Sequence, residues 1–246
     1  MLKKSCIFVL LSISTLLSQT PPPPAQIERE LTSARQEFEA AQKLFNPWYS
    51  GPLLTGSGNT FPPRSIGFQP YLYVTDNYAK FNQSGHSSSI DDLLVVNPLL
   101  QVQTGLTDYT ELALDFGWVY QQKNGIHGNG PGDTGLRLGI SLAKETPTTP
   151  AVKLNIKEFF PTGRYQNLDP NAGGVDATGN GSFRTLIGLA ASKIVLFDTE
   201  HPMSFRGSLS YIIPSTFSVN GKNNYGEAFD TDGIVAPGKA VSIAFA

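Results

Sequence analysis

From residue 66 onward, apolar and polar side chains alternate with a period of two, in stretches of about ten residues. The clearest stretch is YTELALDFGWVYQ, 109–121. Leu112, Leu114, Phe116, Trp118 and Tyr120 point one way, and Glu111, Ala113, Asp115 and Gly117 point the other. In 134–143, Leu136, Leu138, Ile140 and Leu142 oppose Gly135, Arg137, Gly139 and Ser141. Similar segments at 66–74, 95–105, 151–160, 183–196, 203–213 and 238–245 bring the count to eight. Strands of this length can cross a bilayer when tilted, which takes about 9–11 residues. The 24 Gly and 18 Pro argue against an all-helical chain, and a charged fraction of 15% lies below the roughly 25% usual in soluble domains.

The connections sort by length. The turns at 106–108, 145–150 and 197–202 are short, whereas 75–94, 121–133, 161–182 and 214–237 are long and polar. Long and short alternate throughout, which is the asymmetry of an outer-membrane barrel, with long outer loops and short periplasmic turns. Aromatics agree with that assignment. Tyr71, Tyr73, Trp118, Tyr120, Phe159, Phe160, Phe183 and Tyr211 fall near the outer strand ends, and Tyr109, Phe197 and Phe205 near the inner ends. We therefore expect an all-β fold, an antiparallel transmembrane β-barrel over 66–246, preceded by a short helix.

A Lys or Arg facing midplane hydrocarbon costs about 2–4 kcal/mol in a barrel, so the charged face must point inward. The expected lumen set is Glu111, Asp115, Arg137, Lys153, Asn155, Lys157, Arg184 and Arg206, five cations against two anions. Glu158 falls on the lipid side, near the outer rim. An eight-stranded barrel is only wide enough for side chains or one small ligand, whereas a larger one leaves an aqueous lumen that these cations would bias towards anions.

The chain opens with Lys3 and Lys4, then an apolar run from Cys6 to about Leu17 and a Pro tract from Pro21 to Pro24. That order marks residues 1–19 as a secretory signal peptide, too short to span a bilayer comfortably. Export then places the protein in the outer membrane of a Gram-negative-type bacterium. Cys6 is the only cysteine, so the mature chain can form no internal disulfide. Residues 20–65 form a periplasmic segment. Within it, 26–45 carries Ile27, Leu31, Ala34, Phe38, Ala41 and Phe45 at alternating spacings of four and three, an a/d seam. Asn46-Pro47 stops this helix, and 47–65 reads as an extended linker. Docking on its own protein is the favoured reading of the seam; self-association as a short coiled coil, or a plug entering the lumen, is the alternative.

No enzymatic pattern emerges. The three histidines, His86, His127 and His201, lie in connections rather than strands, with no HExxH and no Ser–His pair on the wall. GIVAPGKA, 233–240, nearly matches a P-loop, but Ala240 replaces the hydroxyl and a strand follows. DPNAGGVDATGNG, 169–181, offers Asp169, Asn171 and Asp176 as oxygen donors but lacks the bidentate acid, so it reads as a Gly-rich loop. Neither a cofactor nor a metal is expected. A net charge of −2 shows no footprint for nucleic acid.

The stretch 46–78, with GDTGLRLGI (132–140) and EFFPTGRY (158–165), resembles the bacterial outer-membrane transporter family named after the meta-pathway of phenol degradation. The family's Gly-Asp pair is matched by Gly132-Asp133 and its strand-ending Pro-Thr-Gly by Pro161-Thr162-Gly163. The resemblance covers about 46–215 and implies a barrel of about twelve strands, against the eight counted here, and passage of small, aromatic or apolar molecules. The expected function is passive transport of small solutes without a chemical step. Its rivals are a non-conducting structural or adhesive barrel, whose long loops bind partners, and a secreted soluble β-sandwich that binds a ligand.

Overall fold

The computed structural model describes residues 23–44, 55–196, 202–226 and 232–246. The signal segment 1–19, Asn46-Pro47 and most of the turn 197–202, with Phe197 and His201, lie outside the described residues. One helix, α1 (Pro24–Leu44), precedes strands β1 (Ile66–Phe81), β2 (Ser87–Gly105), β3 (Thr110–Lys123), β4 (Ile126–Pro131), β5 (Thr134–Ala143) and β6 (Ala151–Phe160). Then follow β7 (Arg184–Leu196), β8 (Pro202–Pro214), β9 (Phe217–Val219), β10 (Gly233–Val235) and β11 (Ala240–Phe245).

The fold is mostly antiparallel β. Eight strands pair in the order β1-β2-β3-β5-β6-β7-β8-β11, and these are the eight read from the alternation. β1 and β11 do not pair with each other, so the sheet curls into a half-barrel with two free edges rather than closing. Hairpin β4 adds to the C-terminal half of β3, and β9 pairs with β10 apart from the main sheet.

The register places whole rungs on opposite faces. Leu112, Leu138, Ile156, Ile187, Tyr211 and Val241 stand side by side on the convex face. The adjacent rung, Glu111, Gly139, Asn155, Gly188, Ser210 and Ser242, lies on the concave face. Burial along β3 is inverted relative to a soluble sheet: Glu111 is 2% exposed and Asp115 6%, while Phe116 is 48% and Trp118 49% exposed. Leu114 and Ile140 are half-buried rather than sealed between two sheets.

Three readings of the connections and leader change. The expected loop 75–94 is mostly strand: β1 and β2 continue to a tight turn in which Asn82 Oδ1 accepts from Ser84 N at 2.9 Å and His86 N at 3.0 Å. Most of this segment is exposed on both sides, so no burial pattern marks its pairing. The loop 121–133 contains β4, turned at Asn124 and Gly125, which both have positive φ (51° and 76°); this is the preferred two-residue hairpin chemistry. Residues 55–65, the second half of the expected linker, pack across the concave face instead of spanning solvent.

Helix α1 starts with proline, where a missing N–H costs nothing, and carries the i,i+4 pair Arg35–Glu39 at 3.3 Å. Its seam is half used. Phe38 and Ala41 bury against Ile194 of β7, with Lys193 Nζ 5.1 Å from the Phe38 ring centroid, while Ile27, Leu31 and Ala34 remain exposed. Phe45 lies outside the described residues. Docking therefore accounts for the second half of the seam only. Among the described residues no helix is long and apolar enough to cross a membrane, a statement that leaves strands aside.

Candidate functional site

The concave face collects the expected charges into two clusters. In the first, Glu111 on β3 meets Lys153 Nζ at 2.8 Å and Arg137 Nη2 at 3.5 Å. Lys153 is 4% exposed and also donates to Asn59 O at 2.9 Å. In the second, Asp115 pairs with Lys157 and accepts from Gln101 Nε2 at 2.8 Å. The strand geometry makes room for both. Gly139 stands opposite Glu111 and Gly135 opposite Asp115 in the ladder. A Cβ at Gly139 would lie 2.6 Å from Glu111 Cγ, so only glycine leaves space for the carboxylate to lie along the wall.

The remaining expected residues divide. Arg184, on β7, reaches Asp133 at 3.1 Å rather than either cluster. Asn155 is half-buried, and its Oδ1 is buried without a partner among the described residues. Arg206, on β8, makes no ion pair among the described residues. Tyr71 and Tyr73 stack at 6.0 Å on the concave side, and Phe159 lies under Lys157 Nζ at 4.2 Å and the Arg184 guanidinium at 4.6 Å. These three rings face inward, so they do not belong to an interfacial belt. Glu158 lies on the convex face as expected and accepts from Thr185 Oγ1 at 2.7 Å.

Alternation could not reveal Asp133, which organises the long-loop end. Its Oδ1 accepts from Gly163 N at 3.2 Å; its Oδ2 accepts from Asn180 N at 3.1 Å, Asn180 Nδ2 at 3.2 Å and Arg184 Nη2 at 3.1 Å. Thr162 Oγ1 donates to Gly132 O at 2.8 Å and accepts from Thr134 N at 2.9 Å. The Gly132-Asp133 and Pro161-Thr162-Gly163 motifs are thus two halves of one latch. Gly163 and Gly179 pack so closely that a Cβ on either would lie 2.6 Å from the other's backbone. Beyond the latch, Leu168, Val175 and Val219 are buried within 161–182 and 217–226, and Tyr165, Phe217 and Tyr225 meet edge to face. Tyr225 donates to Asn180 O at 2.6 Å. Burial pushes its phenol above the usual pKa, with Arg184 opposing and Asp133 adding to the rise, so it remains a donor through neutral pH. Asp169 and Asp176 use their oxygens on the amides of Asn171 and Asp169, at 2.8 Å each, as parts of this loop.

At the short-turn end lies a strap, Thr55–Arg64. Gly58 N donates to Ser192 Oγ at 3.1 Å, Phe61 N to Glu111 Oε2 at 2.7 Å, and Arg64 N to Gly105 O at 3.0 Å. The strap runs from β7 past β6 and β3 to β2 and then turns into β1. Its sequence signal was the run of Gly and Pro that resembles a linker; the signal for docking sits in the wall, as Gly67 and Gly105 beneath it.

Chemically, this face offers fixed charge, hydroxyls and aromatic rings, without a nucleophile–base pair among the sites described. Five cations face three anions once Asp133 is included, and the excess rests on Arg206 and on Arg137, which shares Glu111 with Lys153. No protein-family model and no curated protein matches the chain.

Proposed function

We propose that this sheet forms the wall of an outer-membrane β-barrel that passes small solutes passively, favouring anions. The supporting observation is the inverted burial: the ion-paired side chains are on the concave face, and a continuous apolar surface, rung upon rung, is exposed on the convex face. Water tolerates scattered exposed apolar residues, but a surface this continuous calls for a partner that is itself apolar. Hydrocarbon satisfies that need, and it also forbids unpaired strand edges, so β1 and β11 would be paired in the membrane. Because the concave face already holds a peptide segment, it suits a cylinder wider than eight strands, whose interior fits side chains alone.

The experiment is single-channel recording in planar bilayers under a salt gradient. The expected result is conductance with an anion-selective reversal potential, moved towards cations by Arg206→Glu, which disturbs none of the ion pairs described. A reversal potential unmoved by that change rejects the selectivity. Absence of conductance from correctly inserted protein rejects transport and leaves the structural barrel, a reading that the strap lying across the concave face favours.

A further inference from the structure

We propose that Thr55–Pro63 is a displaceable gate that closes the short-turn end of the channel, with Glu111 as its latch. The proposal rests on the transport reading above and adds how passage is controlled. The strap crosses the ends of six strands and touches five of them, at Ser192 on β7, Lys153 on β6, Glu111 on β3, Gly105 on β2 and Gly67 on β1. A segment on that course obstructs the concave side where a solute would enter or leave. It fits by close approach. A Cβ on Gly58 would lie 2.5 Å from Ala151 O, one on Gly105 2.2 Å from Pro62 O, and one on Gly67 2.5 Å from the Phe61 ring.

Several features make the strap separable from the wall. It contributes no strand to the sheet, so its release breaks no ladder between wall strands. It is held by Ser192 Oγ, Lys153 Nζ, Glu111 Oε2 and Glu145 Oε2, which accepts from Asn59 Nδ2 at 3.5 Å, and by its contact with Gly105, and each of those groups can be hydrated once the strap leaves. Glu111 and Lys153 stay paired with each other, so the wall keeps its charge balance in both states. Thr55 Oγ1 is buried without a partner among the described residues in the closed state, a group that release would hydrate.

Gly105→Ala separates strap from wall, because Gly105 does not have a positive φ, so alanine can adopt its backbone, and the methyl group would occupy the place of Pro62 O. Overpacking of this kind raises the released population about tenfold or more. Single-channel open time in the full chain should rise in that proportion, and amide exchange at Gly58 and Phe61 should speed up while exchange across β5 and β6 does not. Phe61→Ala, which alters only the strap, should act in the same direction and covers the case in which Gly105→Ala fails to insert. If amide exchange shows the strap released while open time matches the wild type, the gate is overturned and transport stands. If released variants and wild type are equally silent, both the gate and the transport reading fall.

Discussion

Glu111 is the residue on which most of the concave face depends. It pairs with both Lys153 and Arg137 and accepts from Phe61 N, all at 2% exposure. Removing one partner of a buried pair leaves the other uncompensated, at a cost of about 3–5 kcal/mol, whereas replacing both by apolar groups is often nearly neutral. Glu111→Ala should therefore destabilise the detergent-solubilised protein by about 3–5 kcal/mol in denaturant titration, and the double variant with Lys153→Met should recover most of that loss. A double variant no more stable than the single one would show that Lys153 is not the stranded charge. The same geometry makes Arg206 the better selectivity probe, since reversing Lys153 would oppose two carboxylates inside the wall.

Among the elements, the long loops 161–182 and 214–226 behave as one unit because their backbone groups are spent on each other. Asn167 N donates to Asn220 O at 3.4 Å, Leu168 N to Lys222 O at 3.0 Å, and Asn224 N to Tyr165 O at 3.1 Å. Asp133 ties this unit to the strands, and each hydrogen bond to a charged group contributes about 1.5–3 kcal/mol. Asp133→Ala should free 161–182, read as faster limited proteolysis between Arg164 and Arg184, while the unfolding midpoint of the sheet shifts little. Equal cleavage rates in variant and wild type would place the restraint elsewhere. The Tyr225 bond adds a pH limit. Because burial raises that phenol's pKa, its contribution is complete below the unfolded value and fades only as pH climbs through the folded one, well into the alkaline range.

For the whole molecule, the decisive question is what covers the convex face. Ile156 lies at the centre of β6, flanked by Leu138 and Ile187, and is 39% exposed. If hydrocarbon covers it, Ile156→Arg should cost about 2–4 kcal/mol and block folding into lipid vesicles, measured by heat-resistant compact migration on gels. If the protein is a soluble β-sheet module, the same arginine points into water, and the variant should fold as well as the wild type without detergent.

Much of this was legible in the residues themselves. Period-two alternation needs only neighbouring side chains, so all eight wall strands and the inward charges Glu111, Asp115, Arg137, Lys153 and Lys157 could be read without coordinates. The helix was readable too, within two residues at its start, since its seam is local. What a strand pattern leaves open is which distant segments meet. The strap looked like a linker because Gly and Pro mark both flexible chain and close backbone approach, and only the wall beneath it distinguishes the two. Gly132-Asp133 and Pro161-Thr162-Gly163 carried a motif but no contact, and folding made them a latch. Local periodicity thus set strands and faces, while tertiary structure decided curvature, the free edges and the partner of each buried charge, because those depend on groups far apart in the chain.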